Sequence, residues 1–200
     1  MRVVFGSTVF LLVAVALFAQ SPPREKLRAD TPKSALIHMD PARVDPSDLP
    51  LDQIDQVQAT GTPQKIADIS AWRLAINGSG LTHEVSLTYE DLLAFPLVKK
   101  KVLLICPGVF AGYVEWEGVQ LQVLLEKVGA ATNYKSVSFQ AYDGYSERFS
   151  RRDASEHLFL LAVKASGAAL SAEHGYPVRL VAEDFYGGRW VKWVTKIHLD

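Results

Sequence analysis

Cysteine is almost missing from this chain, which has Cys106 alone among its 200 residues. A single thiol excludes an internal disulfide, and it excludes a zinc or iron–sulfur site held by several cysteines of this chain. An excess of either charge is also missing, because 21 basic and 22 acidic residues give a net charge of −1. Since nucleic-acid-binding domains normally carry a strong basic excess, we expect no nucleic-acid partner.

Self-contained catalytic signatures are missing as well. No two of the five histidines are four residues apart, as the pair in a helical zinc site would be. The sequence has neither a Gly-Lys-Ser/Thr phosphate loop nor a Gly-x-Ser-x-Gly nucleophile elbow. Cys106 and His174 could form a thiol–imidazole pair, but no local motif supports that interpretation. Composition and spacing alone leave the function open.

The N-terminal part of the chain differs in composition from the rest. An apolar run from Val3 to Ala19 predicts a secretory signal peptide over residues 1–20, or an uncleaved N-terminal anchor. Export would place the protein in the periplasm, where Cys106 has no disulfide partner within the chain. Seven of the ten prolines then fall between residues 22 and 63. They predict an extended leader over residues 21–65, either a linker or a segment lying on the domain surface.

Residues 66–200 are predicted to form the folded domain. Apolar and alternating segments predict strands near residues 69–76, 84–87, 99–106, 136–141, 158–164, 177–182 and 191–199. Helices are predicted after Thr88, over 119–128 and over 151–156, with a turn at Asn77-Gly78 and a loop from Pro107 to Glu115. Many short strands with few helices predict an α+β, β-rich mixed domain, because a doubly wound sheet needs more helices.

Five segments of the folded part carry the strongest functional signal. They are Leu-Thr-Tyr-Glu-Asp-Leu-Leu (87–93) before an apolar strand that ends in Cys106, Glu-Trp-Glu-Gly-Val-Gln-Leu (115–121) with Leu124 and Leu125, Asp-Gly-Tyr (143–145), His-Gly-Tyr-Pro-Val-Arg (174–179), and Tyr-Gly-Gly-Arg-Trp-Val-Lys-Trp (186–193). In this order, from about Trp72 onward, the chain resembles the molybdopterin-binding domain of the sulfite oxidase family. The resemblance implies the β-rich fold of that domain and a molybdenum–molybdopterin cofactor.

The resemblance also implies a role for each residue at a matching position. Cys106 would be the thiolate ligand of molybdenum, and Tyr145 would face the substrate side of the metal, so both are assigned as catalytic. The residues implied to bind the cofactor are His174, Arg179, Gly187, Gly188, Arg189 and Lys192. Arginine and lysine suit a phosphate group, and a glycine main chain can approach it closely. The residues by themselves leave alternatives open: a buried inert thiol, a packed tyrosine, and solvated charges at Arg189 and Lys192.

Two functions are compatible with these observations. The first is an exported molybdopterin-dependent oxidoreductase that performs two-electron chemistry, by oxygen-atom transfer or by reduction, on a small-molecule substrate. It would exchange electrons with a separate partner, either a haem protein or a membrane subunit. The alternative is a cofactor-free binding or assembly module that retains the fold. Because the sequence has no heptad pattern, we expect a monomer or a weak oligomer.

Overall fold

The computed structural model describes residues 23–63 and 66–200, so the predicted signal segment over residues 1–20 lies outside the described residues. The strands are β1 (Glu25–Lys26), β2 (Val44–Asp45), β3 (Leu74–Gly78), β4 (Val85–Leu87), β5 (Leu97–Cys106), β6 (Phe110–Gln120), β7 (Ser136–Ala141), β8 (Ser146–Ser150), β9 (Phe159–Ala165), β10 (Ala168–Ala169), β11 (Arg179–Ala182) and β12 (Val194–Leu199). The α-helices are α1 (Tyr89–Leu93), α2 (Leu121–Lys127) and α3 (Arg151–Glu156). Within the two described ranges, no helix is long and apolar enough to span a membrane.

Two five-stranded sheets organise the part of the chain that forms the site. In the first sheet the strands lie in the order β10-β9-β6-β5, with β11 also paired to β9, and each pairing is antiparallel. In the second sheet the order is β4-β3-β12-β7-β8, and β12 runs parallel to β3. This arrangement confirms the predicted α+β, β-rich fold with short helices between strands.

One apolar cluster joins the two sheets. Trp116 and Leu161 of the first sheet belong to the same cluster as Phe139 and Ile197 of the second, and all four side chains are fully buried. Burial of each such side chain contributes about 1.5–3 kcal/mol relative to leaving it in water. The shared core therefore fixes the position of one sheet, and of the strand ends that carry the site, relative to the other.

The second half of β5 is buried on both faces. Val102 and Leu104 face the main core, whereas Leu103 and Ile105 contact a second apolar cluster on the other face. The leader supplies the rest of that cluster, namely Leu27, Leu36, Met39 and Val44. Because side chains alternate between the faces of a strand, Cys106 follows Leu104 onto the side of the main core.

The structure corrects the loop predicted from Pro107 to Glu115. Strand β6 begins at Phe110 and pairs with β5 along its whole length, from Cys106 opposite Phe110 to Leu97 opposite Val119. The turn is confined to residues 107–109. The loop prediction was wrong because the polar residues of this segment alternate with buried ones on a half-exposed strand.

Several further boundaries differ from the prediction. The strand predicted over 69–76 begins at Leu74, and the helix predicted over 119–128 begins at Leu121, because residues 119 and 120 still belong to β6. Asn77 and Gly78 still belong to β3, and the turn follows them. Gly78 has φ of +118°, and a Cβ atom there would overlap the main chain of Leu199, so this glycine serves the close approach of β12. The last strand begins at Val194 rather than near residue 191, because Trp193 has a positive φ of 52° that interrupts extended backbone.

Candidate functional site

Cys106 is the last residue of β5, at the junction between the strand and the turn into β6. Its Sγ atom lies beside Gly187, where a Cβ atom would stand 2.9 Å from Sγ and would also overlap the side chain of Leu104. Glycine at 187 therefore lets the main chain lie directly against the thiol. The thiol lines a cavity of about 20 Å³, which has room for about one water molecule.

Arg179, the first residue of β11, lines the same cavity and is 3% exposed. Its Nη1 donates to the carbonyl of His174 at 3.2 Å, while its Nε has no hydrogen-bond partner. The guanidinium carbon lies 4.8 Å from the ring centroid of Trp116 and 5.8 Å from that of Trp190. Burial lowers the pKa of Arg179 to about 10. This cation is held by aromatic faces and a carbonyl, which leaves its charge available to an anion in the cavity.

Lys192 is the second cation of the cavity. Its Nζ donates to two main-chain carbonyls, that of Thr60 at 2.6 Å and that of Glu173 at 2.7 Å. Burial lowers its pKa to about 8, and the nearby Arg179 guanidinium contributes to the decrease. Within residues 23–63 and 66–200, no carboxylate forms an ion pair with Lys192 or with Arg179. Two cations without a carboxylate between them favour the binding of an anion at this site.

His174 reaches the cavity as a neutral ring. Its Nδ1 accepts from the Ser171 hydroxyl at 2.8 Å, and its Nε2 donates to the Val57 carbonyl at 3.1 Å. A carbonyl can only accept, so the proton is on Nε2. Burial lowers the pKa of His174, and the neighbouring cations contribute to the decrease. Gly175, with φ of +104°, lies so close to Arg179 and Lys192 that a Cβ atom would crowd both side chains.

A wider cleft of about 300 Å³ adjoins the small cavity and shares Thr60, Gly187 and Lys192 with it. Tyr145 and Gly188 line this outer cleft. The Tyr145 hydroxyl lies 2.7 Å from the Gly188 carbonyl and 2.8 Å from a Glu147 carboxylate oxygen, as a donor would. Burial and Glu147 raise the pKa of Tyr145 to about 12, so the hydroxyl keeps its proton at neutral pH.

The Arg189 side chain contacts residues outside both cavities. Its Nε donates to the Glu147 carboxylate at 3.1 Å and its Nη2 donates to the Arg148 carbonyl at 2.6 Å. The guanidinium also lies 4.0 Å from the ring centroid of Phe149. The side chain lines neither cavity. The predicted contact of Arg189 with a cofactor therefore stays a prediction that would need this side chain to move.

The structure thus brings most of the predicted residues together. The small cavity is lined by Cys106, His174, Arg179, Gly187 and Lys192, and the outer cleft adds Tyr145 and Gly188.

Two groups of residues were missed from the sequence. Residues 57–60 of the leader line the small cavity, although nothing in their composition signals this. Trp116 and Trp190 hold Arg179, and both stand in segments that carry the resemblance without a role assigned to them.

The lowered pKa of Lys192 predicts a pH-dependent stability. The folded chain loses this proton near pH 8 and the unfolded chain near the ordinary value of 10.5, so the unfolded state binds more protons between these values. The contribution of Lys192 to the free energy of unfolding therefore rises with pH across that interval. Urea unfolding should show a rise from pH 7 to about pH 10 that is smaller in Lys192→Met than in wild type. An equal rise in both proteins would contradict the environment described for Lys192.

One cavity of this β-rich domain is lined by a thiol, two cations and a glycine main chain. These features define a binding domain for a ligand with an anionic group, which the cations hold, and a metal centre, which the soft thiol ligand holds. Comparison with known proteins agrees with this class. Residues 59–200 match the family described as the oxidoreductase molybdopterin binding domain, and the chain belongs to this family.

Curated relatives share this region. The chain is 29% identical over 139 residues to the oxidoreductase YuiH of Bacillus subtilis, which covers 69% of this chain and 70% of that protein. It is 32% identical over 148 residues to the NADPH nitrate reductase of Phytophthora infestans, covering 60% of this chain and 16% of the relative. It is 29% identical over 143 residues to the protein-methionine-sulfoxide reductase catalytic subunit MsrP of Campylobacter jejuni, covering 63% of this chain and 48% of that subunit.

A solved structure gives the same result. The sulfane dehydrogenase SoxCD from Paracoccus pantotrophus superposes with a TM-score of 0.61 at 28% sequence identity, over 68% of this chain and 39% of that chain. These findings confirm the predicted membership of the sulfite oxidase family and its cofactor, molybdopterin with molybdenum. The nitrate reductase and MsrP are much longer than the region shared with this chain.

Proposed function

We propose that this chain is a molybdopterin-dependent oxidoreductase in which Cys106 is the thiolate ligand of molybdenum. The observation that carries the proposal is the convergence of the Cys106 thiol with Arg179 and Lys192 in one cavity, with the Arg179 Nε buried there without a partner. A dithiolene-bound metal brings its own sulfur ligands, so it needs few from the protein. Accordingly, no group of three or more potential metal-ligating side chains occurs within the described residues.

The chain's own residues have distinct tasks in this proposal. Arg179 and Lys192 hold the phosphate of the pterin, Arg179 through a planar pair of donors and Lys192 as a point charge. His174 lines the cavity and donates its Nε2–H to the Val57 carbonyl, and Gly187 and Gly188 allow the main chain to come close to the cofactor. Burial raises the pKa of the Cys106 thiol while the two cations oppose that effect. As a metal ligand, Cys106 would be in its thiolate form.

The outer cleft is the proposed substrate side. Tyr145 keeps its hydroxyl proton, and it would donate this proton to an oxygen of a small-molecule substrate in exchange for its hydrogen bond to Glu147 or to the Gly188 carbonyl. When bound, the cofactor supplies two-electron redox chemistry, including oxygen-atom transfer. We further propose that the protein is exported to the periplasm and acts as a monomer. Electrons would be exchanged with a separate haem protein or membrane subunit.

Metal content tests the proposal directly. The chain is purified from a host that makes molybdopterin, and molybdenum per chain is measured beside a related loaded enzyme from the same host. About one metal atom per chain is expected for a site with one thiolate ligand. A chain without molybdenum, beside a fully loaded control, would contradict the proposal and favour the cofactor-free binding or assembly module.

A further inference from the structure

Residues 57–61 form a strap across both cavities. Residues 57–60 line the small cavity together with Cys106 and Arg179, and residues 60 and 61 line the outer cleft. The strap has neither helical nor strand structure, whereas β5, β6 and β11 supply other walls of the small cavity. Irregular segments open at lower free energy than paired strands, so the strap moves more readily than these three strands.

The two ends of the strap are held in different ways. Val57 is buried, and its side chain lies against Gly112 of β6, where a Cβ atom would come within 3.2 Å of it. The Val57 carbonyl also accepts the hydrogen bond from His174 Nε2. At the other end, Thr60 is exposed, and its main-chain carbonyl accepts a hydrogen bond from Lys192 Nζ. The strap is therefore anchored by a buried side chain at Val57 and held by a single hydrogen bond at Thr60.

Access to Cys106 depends on this segment. The cavity at the thiol has room for about one water molecule, and Gly187 lies against Sγ on one side. Cys106 is partly buried, and the space at its thiol is too small for a ligand larger than water, so such a ligand fits against Sγ from this side only when a wall of the cavity is displaced. Gly187 and Lys192 also line the cavity from an irregular segment, but the buried side chains of Trp190 and Val191 anchor that segment in the core. Residues 58 and 60 of the strap are exposed, so the strap is the wall most able to yield.

We propose that residues 57–61 are a gate to Cys106, hinged at Val57 and latched by the hydrogen bond from Lys192 to the Thr60 carbonyl. The use of the gate, admission and retention of the cofactor, rests on the proposed function. Its movement does not depend on that function. The opening can therefore be measured in the full chain made by cells that lack molybdopterin, with Cys106 as the probe of access.

Gly61 gives the test variant. It has φ of +83°, and a Cβ atom there would meet nothing closer than the Trp193 ring at 4.0 Å. Gly61→Val therefore strains the closed strap through its backbone without a collision, because a β-branched residue disfavours positive φ. Gly167→Val is the matched control, because Gly167 has φ of +79° with nothing within 4 Å and lies in the turn between β9 and β10.

The measurement is the rate at which fluorescein maleimide labels Cys106. We expect Gly61→Val to raise the rate about tenfold over wild type, which corresponds to the penalty of a left-handed residue. Gly167→Val should label at the wild-type rate, because Gly167 lines neither cavity. Urea unfolding of each variant separates gate opening from global unfolding, and Gly61→Ala is the milder variant if Gly61→Val does not fold.

Two results would overturn the gate. One is a folded Gly61→Val protein that labels no faster than wild type. The other is a wild-type protein that labels as fast as the unfolded chain, which would show that the strap does not restrict access. A chain that never takes up molybdenum but shows the accelerated labelling would contradict the proposed function and support the gate, so the two failures are distinguishable.

Discussion

Cys106→Ser is expected to abolish turnover and to remove or spectroscopically alter the bound molybdenum, while leaving the fold intact. Serine replaces a soft sulfur ligand by a hard and mostly protonated oxygen, and the change in volume is small. Arg179 and Lys192 can still hold the pterin, so the variant should lose more molybdenum than pterin. Metal analysis, absorption spectra and thermal melting of the same preparation measure these effects.

Cys106→Ala is the companion variant, because it removes the sulfur without adding a hydroxyl. If Cys106 were only a packing residue, serine would bury a hydroxyl at a cost of about 1–3 kcal/mol when unpaired. Stability would then fall in Cys106→Ser, while bound metal and activity per folded molecule stayed the same in both variants. That pattern would remove the ligand assignment, and with it most of the case for an active molybdenum enzyme.

Arg179→Met is expected to lower affinity for the pterin by about ten- to a hundredfold, in line with the loss of a charge-assisted hydrogen bond. The free energy of unfolding, in contrast, should rise or stay unchanged. Arg179 is a buried cation with an unpartnered Nε, and replacing such a charge with an apolar side chain of similar volume is often neutral or stabilising. Pterin content after gel filtration and urea unfolding measure the two effects separately.

Arg148→Met is the matched control. Arg148 is exposed and pairs with Asp200 at 3.1 Å, so its removal should change stability by no more than about 1 kcal/mol and leave pterin content unchanged. If Arg179→Met lost stability while retaining the pterin, Arg179 would serve the fold through Trp116 and Trp190 and would have no role in holding an anion.

Elements decided by local chemistry were predictable from the sequence. Thr88 accepts a hydrogen bond from the Asp91 amide at 3.0 Å and donates its own amide to the Asp91 carboxylate, as its position before a helix predicted. The helix over 151–156 was found with the predicted bounds, and Cys106 ends its strand as predicted. In these cases the residues that determine the structure lie within a few positions of one another.

Strand β6 could not be predicted in full because distant partners decide it. A Cβ atom at Gly118 would overlap the main chain of Leu161 and Ala162. Its lack of a side chain allows β9 to come close at a register shift between Glu117 and Gly118. A sequence pattern does not reveal such an approach, because it is made by a strand some forty residues later.

The candidate site was likewise predictable only in part. The resemblance pointed to Cys106, Arg179 and Lys192, and the structure places these three residues in one cavity. The strap, in contrast, reaches His174 across 117 residues and Lys192 across 132 residues, and it does so through main-chain carbonyls. Main-chain acceptors are the same for every residue type, so no sequence motif could have indicated these contacts.

The position of β5 at the border of the first sheet has a consequence for association between molecules. A border strand offers unpaired main-chain groups to strands of other chains, which makes it a starting point for aggregation. In β5 the first half is protected by exposed lysines at residues 99–101, and the second half is apolar, with Leu103 and Ile105 covered by the leader. The leader contains none of the predicted site residues. It nevertheless covers the apolar face of the cysteine-bearing strand, so a chain without the leader would expose Leu103 and Ile105 beside that border.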